Sequence, residues 1–292
     1  MSSAMANLLG LVTKLLVANI GLVMALYLVS PLVPMAGFAA RVLAGYLSLA
    51  FCGFFGTVAS IVMTIAGYQH NAQWLTARSF QLVMRCSTGV SFVVDDPRRT
   101  LDKVRPAVFV GNHQTELDVL MLGAMFPKRC SVTAKSALKH VPFLGWFMRL
   151  SGTIFIDRGN AKGAREAMRG AAQEIRDRRQ SVYMFPEGTR SYAEDPILLP
   201  FKKGAFHLAI QAGVPIVPCV VANYSHILSP KNLVFTSGTI PVKVLDPIPT
   251  EGLDASDVDE LTRRTYEVML KEYTLLSAEA KGRPIPMPAS PR

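Results

Sequence analysis

Charged side chains are almost missing from the first 69 residues of this 292-residue chain, where only Lys14 and Arg41 carry a charge. Residues 15–40 and 42–69 form two uncharged stretches. Each is longer than the ~20 apolar residues that cross about 30 Å of hydrocarbon. A cleaved signal peptide is the alternative for the first stretch, but the second stretch and the lack of a small-residue cleavage site weigh against it. The pattern predicts a transmembrane hairpin over residues 1–70, with a re-entrant second segment as the alternative.

Cysteine is scarce, and its spacing excludes two classes of small domain. The four cysteines are Cys52, Cys86, Cys130 and Cys219, and no two of them form a CxxC pair. This excludes a disulfide framework and a cysteine-based zinc site, and it is typical of a reducing compartment.

Nucleotide-binding and metal-binding signatures are also absent. The sequence contains no Rossmann fingerprint, Walker loop or metal-ligand cluster, so no cofactor is expected. The net charge of +10 would suit nucleic acid, but zinc-finger spacing and RNA-binding aromatic motifs are missing. A basic chain tethered to a bilayer instead favours anionic lipid headgroups or phosphorylated substrates.

Beyond the hairpin, three further segments are predicted. Residues 71–100 form an amphipathic connector, in which Arg78 and Arg85 share a helix face that either rests on headgroups or belongs to an ordinary linking helix. Residues 101–282 form the main domain, and the proline-rich residues 283–292 are expected to be a disordered tail.

The main domain alternates short apolar runs with stretches of helical spacing. The runs read AVFV, SVTA, TIFI, SVYMF, VPIVPCVV and PVKVL. This alternation predicts an α/β fold with a mostly parallel sheet flanked by helices. Such sheets bind ligands at the carboxyl ends of their strands. The loops GNHQTELD, DRGN and PEGTRS follow three of the runs and are therefore expected on one edge of the sheet.

His113 and Asp118 are candidates for acid–base chemistry. A spacing of five residues turns two side chains away from each other on a regular helix, so they meet only if His113 lies in the turn before the helix. A carboxylate on one ring nitrogen fixes the tautomer and leaves the other nitrogen as a base. A histidine held by a backbone carbonyl in the core is the alternative, because the bare pattern is common.

The sequence FPEGTRS is a candidate anion site. Gly188 permits a tight loop, and Arg190 offers a bidentate fork for phosphate. Lys202 lies just before a predicted helix, whose N-terminus adds positive potential. An exposed pair between Glu187 and Arg190, and a solvated lysine, are the structural alternatives.

In this order the blocks NHQTELD, GTIFIDR, FPEGTRS and VPIVP resemble the four blocks of the glycerolipid acyltransferase family. The resemblance covers roughly residues 107–223. Within the family, these blocks resemble above all those of the 1-acylglycerol-3-phosphate acyltransferases of fungi.

The resemblance implies a role for each matching residue. His113 is then the catalytic base and Asp118 its orienting partner. Substrate-binding roles fall on Gly152, Arg158, Glu187, Gly188, Thr189 and Arg190, with Arg190 on the phosphate. Pro218 shapes the acyl or acceptor pocket, or is purely structural. Lys135 and Lys202 are further candidate phosphate contacts, on charge and position alone.

The activity implied is acyl transfer from acyl-CoA, which is a substrate and not a cofactor, to the 2-hydroxyl of lysophosphatidate. No protein partner is implied. The location expected is the endoplasmic reticulum membrane, or a lipid droplet, with the main domain on the cytosolic side. Acylation of glycerol-3-phosphate or of another lysophospholipid is the nearest alternative. A non-catalytic membrane protein that binds anionic lipids is the alternative from another class.

Overall fold

The computed structural model describes residues 3–157, 159 and 161–282. The predicted tail at residues 283–292 lies outside this range. Two long apolar helices open the chain, α1 (Ser3–Val29) and α2 (Pro34–Ile65). Pro31 lies in the turn between them and Pro34 begins α2, because proline is tolerated in the first turn of a helix but not in its interior. The uncharged stretch at residues 15–40 is therefore divided between two helices.

The rest of the chain alternates helices and strands. In order these are α3 (Ala72–Thr88), β1 (Val90–Asp95), α4 (Thr100–Lys103), β2 (Val108–Gly111), α5 (Asp118–Met125), β3 (Cys130–Lys135), α6 (Leu144–Leu150), β4 (Ile154–Ile156), α7 (Ala161–Arg178), β5 (Ser181–Met184), α8 (Gly204–Ala212), β6 (Ile216–Val221), β7 (Leu228–Ser229), β8 (Val234–Phe235), β9 (Gly238–Val244) and α9 (Val258–Lys281). Short 3-10 turns cover Gln69–Asn71 and Ser136–His140.

Both N-terminal helices have the length and composition of membrane-crossing helices, over Gly10–Val29 and Pro34–Ile65. They are compatible with a membrane protein. The two helices differ in how much of their apolar segment is buried inside the protein. The buried share is 6% for α1 and 33% for α2.

The buried face of α2 is lined with small residues. Spaced four apart, these are Ala36, Ala40, Ala44, Ser48, Cys52, Gly56 and Ser60. They let α3 and α6 approach closely: a Cβ on Gly56 would lie 2.7 Å from Cγ2 of Thr76. From the same helix, the Arg41 guanidinium donates to the carbonyl of Thr88 at 3.1 Å and to that of Phe235 at 3.3 Å. The hairpin is thus fixed against the main domain along one side of α2.

A seven-stranded sheet in the order β1-β9-β6-β2-β5-β3-β4 forms the centre of the main domain. Its neighbouring strands run parallel except for the antiparallel pair β6 and β9. One face packs Phe109 and Tyr183 against α3 and α5, and the other packs Val108 against α7, α8 and α9. The predicted α/β fold with a mostly parallel sheet is confirmed, and each of the six apolar runs contains a strand.

Two features of the predicted connector differ in the structure. Residues 90–95 are not part of a linking segment but form β1 at the edge of the sheet, where they pair with β9. The sequence SFVVD alone does not indicate a strand of the sheet, because its pairing partner, β9, is distant in sequence. Arg78 does not face outward: it donates to the carbonyl of Ala124 at 2.7 Å, since the last carbonyls of α5 lack partners within their own helix.

Candidate active site

The loops that follow β2, β5 and β6 open on one edge of the sheet. β2 pairs in parallel with both other strands, with Val110 opposite Met184 on one side and Pro218 on the other. The side chain of Asn112 continues the ladder past the end of β2: its amide nitrogen donates to the carbonyl of Val221 at 2.9 Å, and its oxygen accepts from that residue's N–H at 2.8 Å. These two hydrogen bonds fix the backbone of the next residue, His113, beside this edge of the sheet.

His113 and Asp118 are in contact. Asp118 is the first residue of α5, and its Oδ2 lies 2.7 Å from Nδ1 of His113. Because an ionised carboxylate only accepts hydrogen bonds, Nδ1 carries the proton and Nε2 is left as the basic nitrogen. Asp118 is fully buried, whereas 17% of the His113 side chain is exposed. The pair has the arrangement of an oriented general base.

Backbone groups also hold the Asp118 carboxylate. Oδ2 accepts from the N–H of Gln114 at 2.6 Å and from that of Thr115 at 3.2 Å. The turn before α5 thus folds around the carboxylate, which explains how a spacing of five residues brings His113 to it.

Glu187 lies directly beneath His113 and is 3% exposed. Its Oε1 accepts from the N–H of His113 at 2.6 Å, and its Oε2 accepts from the N–H of Leu199 at 2.9 Å. Burial raises the pKa of this carboxyl to about 7, although the two N–H donors oppose the shift. Each oxygen is bound to one backbone group, so Glu187 links the backbone at His113 to that at Leu199.

Gly188 lies in the turn after Glu187, with a φ of 69° that favours glycine. A Cβ at this position would lie 2.9 Å from Nζ of Lys202. The lysine side chain therefore rests on the glycine backbone, which puts a positive charge beside the loop. Thr189 follows and is exposed.

Arg190 belongs to a polar cluster at the mouth of the site. Its Nη1 donates to Oε1 of Glu116 at 2.9 Å, and the hydroxyl of Tyr192 donates to the same oxygen at 2.6 Å. The Nε of Arg190 is buried and has no hydrogen-bond partner among the described residues. The guanidinium thus has one N–H donor without a partner among the described residues, and that donor faces the protein interior.

Several predicted site residues lie apart from this cluster. Lys135 ends β3, two strands away from β2, and is exposed. Gly152, with a φ of 80°, lies between α6 and β4, and β4 is three strands away from β2. Pro218 is buried inside β6 opposite Val110, where its carbonyl accepts from the N–H of Leu245 at 2.9 Å. Arg158 lies outside the described residues.

An apolar cavity opens beside the site, between α2, α3, α5 and α6. Its lining includes Val119, the residue after Asp118, and Leu122 from α5, together with Phe80, Leu144 and Phe147. The only polar lining side chains among the described residues are Gln73 and Thr76. The cavity is thus an apolar space between the hairpin and α5, the helix that begins at Asp118.

Comparisons with known proteins agree with this geometry. A family model described as acyltransferase matches residues 94–222. The 1-acyl-sn-glycerol-3-phosphate acyltransferase of Saccharomyces cerevisiae is 46% identical over 224 residues, which cover 77% of this chain and 73% of the yeast protein. The chain belongs to this acyltransferase family.

Two further similarities support the family and the fold. The 1-acyl-sn-glycerol-3-phosphate acyltransferase beta of Homo sapiens is 37% identical over 231 residues, 78% of this chain and 82% of the human protein. The crystal structure of the 1-acyl-sn-glycerophosphate acyltransferase PlsC from Thermotoga maritima superposes with a TM-score of 0.65 at 22% identity, covering 92% of this chain and 99% of that chain. This acyltransferase therefore shares the PlsC fold.

Three residues of the acyltransferase site were not predicted from the sequence. The ring of Phe185 stacks on the imidazole of His113, Glu116 pairs with Arg190, and Tyr224 donates to Asp118. Tyr224 could have been predicted from the sequence. It is among the polar residues that follow β6, another strand that ends at the same edge of the sheet.

Proposed function

We propose that this acyltransferase transfers an acyl group from acyl-CoA to the 2-hydroxyl of 1-acylglycerol-3-phosphate, yielding phosphatidate and CoA. The observation that carries the proposal is the buried Asp118 holding His113 2.7 Å away, beside an arginine whose Nε has no partner among the described residues. A base next to an unsatisfied guanidinium suits an acceptor that carries both a hydroxyl and a phosphate.

In this reaction His113 is the general base and the 2-hydroxyl of the acceptor is the nucleophile. As the 2-hydroxyl oxygen attacks the thioester carbonyl, its proton passes to Nε2 of His113. The tetrahedral intermediate then collapses, the carbon–sulfur bond breaks, and the CoA thiolate takes the proton from the imidazolium. Asp118 stabilises the charged ring during these two steps through its hydrogen bond to Nδ1.

Arg190 binds the acceptor phosphate through its fork of N–H donors, and Lys202 adds a second positive charge above Gly188. Thr189 is exposed in the same loop and contributes its hydroxyl or its backbone N–H. Glu187 acts indirectly, by fixing the backbone of His113. Lys135 ends a strand two places away from β2 and Gly152 precedes a strand three places away, so they contact only the more distant parts of a bound substrate.

The apolar cavity lined by Val119 supports a lipid substrate, because its apolar lining suits a hydrocarbon chain. The two apolar N-terminal helices would deliver such substrates from a bilayer. No cofactor other than the acyl-CoA substrate takes part in the reaction proposed.

The decisive experiment is an acyl-CoA assay on membranes with lysophosphatidate, glycerol-3-phosphate and other lysophospholipids as separate acceptors. We expect turnover with lysophosphatidate that is abolished in His113→Ala and strongly reduced in Asp118→Asn. Turnover that persists without His113 would overturn the mechanism, and preference for another acceptor would overturn the substrate assignment.

For the location we propose the endoplasmic reticulum membrane with the catalytic domain on the cytosolic side, because positive charge is concentrated after the hairpin. In sealed microsomes, added protease should then cut the exposed α7, for instance at Arg165. Full protection of α7 would place the domain in the lumen.

A further inference from the structure

Tyr224 is fully buried, and its hydroxyl lies against the Asp118 carboxylate from the side opposite His113. The hydroxyl is 2.7 Å from Oδ1 of Asp118. Tyr224 is 106 residues away from Asp118 in sequence, and it reaches the site because the loop after β6 opens at the same edge as the loop after β2.

The hydrogen bonds around this hydroxyl assign its proton. A phenol donates one hydrogen bond and accepts up to two. The carboxylate can only accept, so Tyr224 donates to Oδ1 of Asp118. The phenol oxygen then accepts from the N–H of Thr115 at 3.1 Å and from the Thr115 hydroxyl at 3.0 Å. The Thr115 oxygen in turn accepts from the N–H of Leu117 at 3.2 Å.

The two carboxylate oxygens of Asp118 accept different numbers of hydrogen bonds. Oδ2 has three donors: the His113 ring and two backbone N–H groups. For Oδ1 the donor that the described residues provide is Tyr224. Burial, and then the nearby Asp118 charge, raise the pKa of the Tyr224 phenol well above its usual range, so the donor proton is retained. The ring is itself fixed, in edge-to-face contact with Phe92 of β1 at a centroid distance of 6.2 Å.

We propose that Tyr224 is a positioning residue for the reaction: by holding Oδ1 of Asp118 it sets the orientation of His113 and the pH range in which the imidazole is neutral. Without this donor, the negative charge of a buried carboxylate is concentrated on the oxygen that faces the imidazole, which favours the protonated ring. The other ionisable groups that face Asp118 are Glu187, Arg190, Tyr183 and Tyr273.

The test compares Tyr224→Phe with Tyr27→Phe. The Tyr27 hydroxyl also donates a hydrogen bond, to the carbonyl of Ser87 at 2.5 Å, but Tyr27 belongs to α1 of the hairpin. We expect kcat of Tyr224→Phe to fall about tenfold, the size of one hydrogen bond to a charged group. The KM values should stay within about twofold, and the acidic limb of the pH profile should move to higher pH. Tyr27→Phe should match the wild type.

A second measurement makes the result independent of the acceptor, since the kinetic comparison rests on the proposed function. Diethyl pyrocarbonate modifies neutral imidazole, and peptide mass spectrometry isolates the rate at His113 from the other four histidines. The midpoint of this rate against pH should move to higher pH in Tyr224→Phe. An unchanged or lowered midpoint would overturn the role of Tyr224, whereas a shifted midpoint in a protein that does not acylate lysophosphatidate would overturn only the proposed function.

A third variant is used if Tyr224→Phe does not fold, as judged by thermal unfolding in detergent. Incorporation of 3,5-difluorotyrosine at position 224 preserves the shape and strengthens the donor. The midpoint of His113 modification should then move to lower pH. No change with the stronger donor would contradict the proposal.

Discussion

The imidazole of His113 lies almost flat against the phenyl ring of Phe185, with ring centroids 4.1 Å apart and planes inclined by 19°. Phe185 immediately follows β5, and its ring is in turn supported edge-on by Tyr183 at 5.3 Å. One face of the His113 imidazole is therefore covered by the Phe185 ring. The ring is held in place by stacking as well as by the hydrogen bond to Asp118.

Loss of this surface should slow catalysis. Stacked aromatic pairs contribute about 0.5–1.5 kcal/mol beyond the area they bury, so we expect kcat of Phe185→Leu to fall roughly two- to tenfold. Phe235→Leu removes a similar volume from the same core cluster away from the imidazole, and its kcat per folded molecule should be unchanged. Equal kcat values for the two variants would show that the stacking has no catalytic role.

Arg190→Lys should not preserve phosphate recognition. A lysine supplies a point charge but lacks the bidentate fork, so the apparent KM for the acceptor should rise and kcat should fall. One charged hydrogen bond corresponds to about 1.5–3 kcal/mol, which is roughly a 10- to 100-fold loss of kcat/KM. Arg263→Lys is the matched control, because Arg263 is also paired with carboxylates, those of Glu260 and Glu267, but lies on the exposed face of α9. Unchanged acceptor kinetics in Arg190→Lys would remove Arg190 from the phosphate site.

Glu187 should make stability depend on pH. Its pKa is raised from 4.5 to about 7, so the folded state binds this proton more tightly than the unfolded state. The resulting stabilisation is complete below pH 4.5 and is lost as pH rises through about 7. Thermal unfolding midpoints of wild type and Glu187→Gln should therefore converge, or cross, over this interval. A curve for Glu187→Gln that runs parallel to the wild type over this interval would contradict the shifted pKa.

The enzyme should carry no acyl group between substrates. Thr115, Ser131 and Cys130 are already engaged or inert: the Thr115 hydroxyl donates to Tyr224, Gln180 donates to Ser131, and burial raises the pKa of Cys130 well above its usual range. Incubation with labelled acyl-CoA in the absence of acceptor should leave the denatured protein unlabelled. Stoichiometric label that transfers to added lysophosphatidate would replace direct transfer by a two-step mechanism.

Gly123 should resist substitution. It lies in α5 where α3 crosses, and a Cβ there would be 2.6 Å from the carbonyl oxygen of Ala77. Overpacking of this kind costs about 1–3 kcal/mol, so Gly123→Ala should unfold at a lower temperature. The exposed Gly170 in α7 has no atom within 4 Å of its Cβ position, and Gly170→Ala should be neutral or stabilising. The unfolding midpoints of the two variants in detergent test this difference.

The parts of the site that the sequence predicts are those whose signal is local. His113 and Asp118 lie five residues apart, and Gly188 and Arg190 belong to one loop, so a motif contains all the information needed to group them. Their order at successive strand ends also indicated the common edge of the sheet.

The parts that the sequence does not predict depend on distant pairing. Tyr224 meets Asp118 only through the β2–β6 register, and β1 is a strand only because β9 pairs with it. The hydrogen bonds from two backbone N–H groups to the buried Glu187 carboxylate depend on the meeting of two loops. Such contacts have no signature in a single stretch of residues.

The place of β9 between β1 and β6 has a consequence for biosynthesis. The hairpin, α3 and β1 leave the ribosome first, while the partner of β1 is among the last strands to be made. A nascent chain that has just completed β6 holds every residue of the His113 loop, yet its β1 has no neighbour and the ring of Phe92 has no Tyr224 beside it. Catalytic competence should therefore appear late in translation, after the apolar helices have already met the membrane.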